Sequence, residues 1–203
     1  MDKATVIGGS GFLGSHIADE LSRRGIAVTV FDHSASPWIR DNQTMVVGDM
    51  LDRELLQKAC DGSRYLYHFG GIADISEAKT KPFKAIEANV MGVTTALEAA
   101  RAVRVERFVY ASTMYVYSAA GSFYRASKQA AETIVEAYGE SFDLDYTLLR
   151  YGSLYGPRAQ AWNGLRGYVK QVVEEGRLDY AGSGQERREY IHVCDAARLS
   201  VDI

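Results

Sequence analysis

The stretch "VIGGSGFLGSH", residues 6–16, decides the fold. It closes the β-rich run "ATVIG" and opens an apolar-periodic segment, with Gly8, Gly11 and Gly14 between them at the spacing GxxGxxG. Glycine permits a tight turn, lets backbone approach a pyrophosphate without a Cβ in the way, and allows a helix to pack closely on its strand. A helix starting there offers unpaired N–H groups and the positive end of its dipole to phosphate. Glycines alone also fit a plain connecting turn, so the weight rests on the strand–turn–helix context.

The second strand, "AVTVFD", ends in Asp32, 18 residues after Gly14. A carboxylate there can accept both hydroxyls of an adenosine ribose and would repel a 2′-phosphate, which favours NAD over NADP as the cofactor. A strand-end cap is the other use of Asp32, and Arg40 in the following loop could reach a 2′-phosphate. The third strand, "TMVVGD", ends in Asp49, which could bind an adenine amino group or only shape the turn; Asp52 reads as the N-cap of the helix after it.

The same alternation continues: helices near 12–24, 52–60, 82–102 and 124–140 are interleaved with the runs "YLYHF", "RFVYAS" and "DYTLLRY". Strands apolar on both faces argue for a parallel sheet covered on both sides, a doubly wound α/β fold. Residues 1–163 form this dinucleotide-binding Rossmann domain. After "LYGPR" the pattern loosens, and a helix near 164–175, strands at "RLDYAG" and "REYIHV", and a helical start at "CDAARLSVDI" read as the opening of a smaller substrate lobe over 164–203. No C-cap precedes Ile203, so the chain is expected to be cut short of its natural end.

Composition narrows the function. The 23 basic and 26 acidic residues give a net charge of −3, which provides no electrostatic footprint for nucleic acid or an anionic membrane. No run approaches the ~18 apolar residues of a membrane span, and the N-terminal run is too short for a signal peptide, so a cytoplasmic protein is expected. Cys60 and Cys194 read as buried free thiols. His68 and His192 have no second ligand at metal spacing and read as satisfied structural histidines; no metal is expected.

"GSFYRASKQAAE", residues 121–132, puts Tyr124 and Lys128 on one helix face at i and i+4. A tyrosine with a pKa of about 10 is a poor base at neutral pH, but a nearby ammonium and a cationic nicotinamide both favour its phenolate. The end of the fifth strand, "YASTMYVY", adds the hydroxyls of Ser112 and Thr113, at the edge where open α/β sheets bind ligands. By itself the Tyr/Lys spacing also describes a solvated surface pair.

Together these segments carry a resemblance. "GGSGFLG", Asp32, "GDMLD", "YHFGG", "NVMGVTTALEAA", "YASTMYVY", "YRASK", "LLRYGSLYGPR" and "REYIHVCDAA" stand in the order of the extended short-chain dehydrogenase/reductases, the NAD-dependent nucleotide-sugar epimerase/dehydratase group. The chain resembles this family over essentially its whole length. The resemblance implies that Gly8, Gly11, Phe12, Leu13 and Gly14 cradle the pyrophosphate, that Asp32 holds the ribose, and that Asp49 and Met50 meet the adenine. It implies that Phe69, Gly70 and Gly71 wall the cofactor while Asn89 braces the neighbouring helix. Thr113 matches the catalytic hydroxyl, with Ser112 beside it, Tyr124 the base, and Lys128 its electrostatic partner, which also grips the nicotinamide ribose. Ser153 and Arg188 would face the nucleotide-sugar substrate, Arg188 at its diphosphate; the alternative for Arg188 is a solvated strand edge.

The implied activity is epimerisation through a transient keto-sugar, with Tyr124 taking the hydroxyl proton as hydride passes to the nicotinamide. A sugar dehydrogenase or keto-sugar reductase is the alternative, and a non-catalytic NAD-binding regulator a third reading that the intact triad argues against. Thr113 stands only 11 residues before Tyr124, a shorter loop than the family usually has. Many relatives carry asparagine where Ser153 stands, and the dehydratases carry an Asp-Glu pair where this chain has Met114 and Tyr115, which disfavours water elimination. The helix "FKAIEANVMGVTTALEAARAV" implies the family's homodimer contact.

Overall fold

A computed structural model describes residues 2–180 and 182–203. Six parallel strands form one sheet: β1 (Lys3–Ile7), β2 (Ala27–Asp32), β3 (Gln43–Val47), β4 (Tyr65–His68), β5 (Arg107–Thr113) and β6 (Tyr146–Tyr151), in the order β3-β2-β1-β4-β5-β6. Ile7 is in register with Phe31 on one side and His68 on the other, so the strand order reverses beside β1 and opens a crevice at the strand C-termini.

Successive strand residues point to opposite faces, which explains why these strands are apolar throughout. On one face Ile7, Phe31, Leu66 and Phe108 meet α2 (Arg53–Cys60), α5 (Gly92–Val103) and α6 (Ser122–Phe142) through Leu56, Leu97 and Val135. On the other, Val6, Val30 and Val109 meet α1 (Phe12–Arg23) through Ile17 and Leu21. Each such side chain contributes about 1.5–3 kcal/mol by leaving water.

The long helix expected near 82–102 is interrupted. After α3 (Ile75–Thr80), which the sequence reading did not anticipate and which Asp74 caps, come α4 (Pro82–Ile86), a π-turn over Glu87–Met91, and then α5. The turn swings Asn89 inward, where its carbonyl accepts from Ile72 N at 2.8 Å and its amide donates to Ile72 O at 3.0 Å and Ser127 Oγ at 2.9 Å. Three bonds to a buried amide offset the disturbed helical ladder.

Beyond β6, a short parallel pair joins β7 (Ser153–Tyr155) to β8 (Tyr190–His192), with α7 (Gly164–Glu175) between them. Among the described residues the strand expected at "RLDYAG" is absent: Arg177–Tyr180 are irregular, and Ala181 lies outside the described residues. The last helix, α8 (Val193–Val201), lies back on α1, its Val193, Ala196 and Ala197 sharing that core. Arg24 donates to the carbonyls of Arg198 at 3.1 Å and Val201 at 3.2 Å and so satisfies the end of α8. Among the described residues no helix is long and apolar enough to cross a membrane.

Candidate active site

A cleft of about 1490 Å³ opens over the C-terminal strand ends. One end is the glycine loop. Gly8 has φ +76° and donates to Phe31 O at 2.8 Å, and a Cβ there would stand 2.5 Å from Gly70 N. At Gly14 a Cβ would collide with the carbonyl oxygen of Gly8, so the helix can approach its strand only as glycine. Gly11 caps α1 without a side-chain bond, which leaves N–H groups of the first turn, beside Phe12 and Leu13, directed at the cleft.

Asp32 is buried at the end of β2. Its carboxylate accepts from Ser10 N at 3.0 Å and Ser34 N at 3.3 Å and lies 2.8 Å from His33 Nδ1, which fixes it against the glycine loop at the wall of the cleft. Arg40, weighed as a 2′-phosphate ligand, is instead paired to Asp19 on α1 through Nη2 at 2.6 Å, and Arg158 shares that carboxylate at 2.8 Å. Asp49 lines the cleft while accepting from Leu51 N at 2.9 Å, so it shapes its turn as well; Asp52 caps α2 through Leu55 N at 3.1 Å. Met50, Phe69, Gly70 and Gly71 complete this wall. Asn89 lies behind it, bracing the 70–72 turn rather than facing the cleft.

A dinucleotide fits what these residues offer. The crowded glycine backbone leaves room only for a ligand at the open side of the loop, the unpaired N–H groups suit a pyrophosphate, and the Asp32 carboxylate suits a ribose diol.

The other end of the cleft carries Ser112, Thr113, Tyr124 and Lys128, so the Tyr/Lys pair is not a surface pair. Thr113 ends β5, and its Oγ1 accepts from Tyr115 N at 3.2 Å. The Ser112 hydroxyl is buried beside Glu132 without a well-formed hydrogen bond. Burial pushes the Tyr124 phenol above its ordinary range, a hydrogen bond with Thr113 pulls it back, and Tyr115, edge-on at 6.1 Å, pushes it further up. Lys128 is not among the groups that move the phenol in the protein alone, and the lowering expected from the ammonium together with a cationic nicotinamide belongs to the NAD-bound state. Lys128 Nζ donates to the carbonyl of Ala111 at 2.8 Å and lies 4.7 Å from the Tyr110 ring centre, so in the protein alone burial dominates the phenol. Burial brings the lysine itself down to about 8, with Glu132 opposing.

Ser153 lines the cleft from β7. Arg188 lies across it with its guanidinium beside the Tyr115 hydroxyl, which raises the guanidinium above its ordinary range. The sequence reading missed this link, as it missed Glu132 and Arg150. The spacing of Glu132, four residues after Lys128, was the available signal.

One histidine reading and one cysteine reading change. His68 is buried, but both ring nitrogens lack a partner, because its strand end is packed between Phe108 and Tyr110; burial first, then Lys128, takes it down to about 3. His192 is satisfied as the cap of α8, accepting from Cys194 N at 3.3 Å. Cys60 is buried, whereas Cys194 is exposed on the outer side of α8's first turn. Among the described residues no group of three His, Cys, Asp or Glu side chains could hold a metal ion.

Comparison with known proteins gives the family. A dTDP-glucose 4,6-dehydratase of Streptomyces niveus is 28% identical over 95% of this chain and 66% of its own length. A UDP-glucose 4-epimerase of Erwinia amylovora is 28% identical over 95% of this chain and 70% of its own. The chain therefore spans about two thirds of such relatives. The crystal structure of a Thermus thermophilus UDP-glucose 4-epimerase in complex with NAD superimposes with a TM-score of 0.86 at 29% identity, over 98% of this chain and 73% of that one. The family model matches residues 4–202, nearly the entire chain, and by that match the protein belongs to the NAD dependent epimerase/dehydratase family, with NAD as the family's cofactor.

Proposed function

We propose that the chain is the NAD-binding and catalytic part of a nucleotide-sugar epimerase that works through a transient keto-sugar. The observation that carries this is the convergence of Thr113, Tyr124 and Lys128 on one end of the cleft whose other end is the glycine loop and Asp32. NAD, when bound, supplies the acceptor and donor of a hydride. Thr113 donates to the oxygen of the sugar hydroxyl, and the Tyr124 phenolate takes its proton. Lys128 adds positive charge beside the phenolate and holds a ribose hydroxyl. Arg188 takes the substrate diphosphate, a charged partner for a guanidinium that otherwise lies beside the Tyr115 hydroxyl.

Elimination of water needs an acid beside the leaving hydroxyl. Met114 has none, and Tyr115 offers a phenol rather than a carboxyl, which supports epimerisation over dehydration. Residues 164–203, expected as the substrate lobe, divide: 164–192 serve as its first part, while α8 lies back on α1 of the NAD-binding domain. The exposed Phe83 and Met91, on α4 and the π-turn, are covered by a second copy in a homodimer.

One observation favours a second reading. The buried phenol holds its proton more tightly than a free tyrosine, which suits donation to a carbonyl, as in a keto-sugar reductase.

The test is to incubate the full-length protein and NAD with a panel of nucleotide-sugars and to compare the products by chromatography and mass spectrometry, with Tyr124→Phe as control. Epimerisation gives a new peak of unchanged mass that the variant does not make. A product lighter by two hydrogens, with NADH formed, would instead assign a dehydrogenase. No change in any substrate while NAD binds would sink the epimerase reading.

A further inference from the structure

Glu132 continues the α6 face that carries Tyr124 and Lys128, one turn beyond the lysine. It is 7% exposed, yet its carboxylate is clamped from β6 by Arg150, with Nε at 2.9 Å and Nη2 at 2.8 Å. Arg150 donates onward to the Tyr117 hydroxyl at 2.6 Å, in the short turn between Thr113 and Tyr124. A buried carboxylate is costly even when an arginine holds it, so its position calls for a reason.

The surroundings of Lys128 give one. From β5 it meets the Ala111 carbonyl and the face of Tyr110; the other titratable groups around it are His68 on β4 and, one helical turn to either side on α6, Tyr124 and Glu132. His68 is neutral at physiological pH, and burial holds Tyr110 protonated well above it. Glu132 is therefore the one anion among these groups, one helical turn from the buried ammonium.

We propose that Glu132, oriented by Arg150, is the positioning residue that keeps Lys128 protonated in its buried seat and so ready to support the Tyr124 phenolate. The catalytic meaning rests on the reading of Lys128 as partner of Tyr124; the protonation itself does not.

The test follows Lys128 directly. In protein labelled with ¹³C and ¹⁵N at lysine, the side-chain signal that Lys128→Arg removes is titrated by NMR without substrate or NAD. The wild-type midpoint is expected at about 8. Glu132→Gln should lower it by about one unit or more, and Glu132→Asp, which keeps the charge, should restore most of the shift. Arg150→Gln should raise it, because the freed carboxylate acts more strongly on the lysine. A midpoint unchanged in folded Glu132→Gln overturns the proposal. If that variant does not fold, Arg150→Gln decides: a rise supports the proposal and no change overturns it. Because no sugar is present, an inactive enzyme whose lysine midpoint still moves would refute the nucleotide-sugar assignment and leave this one standing.

Discussion

His68 and Tyr110 lie ring on ring across β4 and β5, their centroids 5.9 Å apart and their planes 17° from parallel, and neither the imidazole nitrogens nor the phenol has a hydrogen-bond partner. The pair sits directly beneath Lys128, which covers the Tyr110 face at 4.7 Å. This floor is packed for shape rather than for polarity, and its cost is set by pH.

The first prediction follows from that cost. The imidazole is held at about 3 in the folded chain, against 6.5 when unfolded. The unfolded state therefore binds the extra proton between these values. The contribution is complete above pH 6.5 and is lost as pH falls towards 3, amounting to about 2 kcal/mol by pH 5. Urea unfolding at pH 7 and pH 5 should show this loss in wild type, and a smaller one in His68→Phe, which keeps the ring stack without a titrating group. The window lies above the range where Glu20, lowered to about 2 chiefly by Arg23, begins to contribute. Equal losses in both proteins would mean that the ring is already hydrated.

Much of the fold was legible because its signals are local. Val6 and Ile7 enter opposite cores, and a strand that feeds two layers has to be apolar throughout. The glycine loop was legible for the same reason, since Gly8 and Gly14 are dictated by backbone a few residues away or directly opposite. What escaped depends on partners distant in sequence. The helical period runs unbroken through Glu87–Met91, and only the bonds of Asn89 to Ile72 and Ser127 insert the π-turn. Glu132 has no periodic tie to Arg150, nor Tyr115 to Arg188, because sheet order and the β7–β8 excursion bring each pair together. The triad residues were found by their spacing, but the direction in which burial moves the phenol depends on packing that no spacing encodes.

Asp32 supports a second prediction. Its two oxygens are set by Ser10 N and Ser34 N, so the carboxylate stays in place when a ribose arrives. Asp32→Asn keeps one acceptor, loses the charge, and removes the repulsion of a 2′-phosphate. NAD affinity should fall about 10- to 100-fold, as expected for a charged hydrogen bond, while NADP affinity holds or rises. Arg40 does not complicate the outcome, since Asp19 holds it. Titration calorimetry with both dinucleotides measures the ratio, and an unchanged preference for NAD would move the ribose away from β2.

The third prediction concerns Tyr115, which faces both ends of the proposed chemistry: its ring stands edge-on to Tyr124 and its hydroxyl lies beside the Arg188 guanidinium. If Arg188 has to leave that hydroxyl to take a diphosphate, the phenol competes with substrate for the guanidinium. Tyr115→Phe keeps the ring that packs against Tyr124 and deletes only the competitor. Nucleoside diphosphates should then bind about 3- to 10-fold more tightly, the worth of one modest hydrogen bond, while the NAD dissociation constant stays unchanged because Tyr115 lies away from the glycine loop. Arg188→Met should abolish the gain, and the double variant should bind no better than Arg188→Met alone, since the two residues act on one contact. Tighter diphosphate binding in Tyr115→Phe that persists without Arg188 would show that the phenol blocks the cleft sterically rather than by holding the arginine.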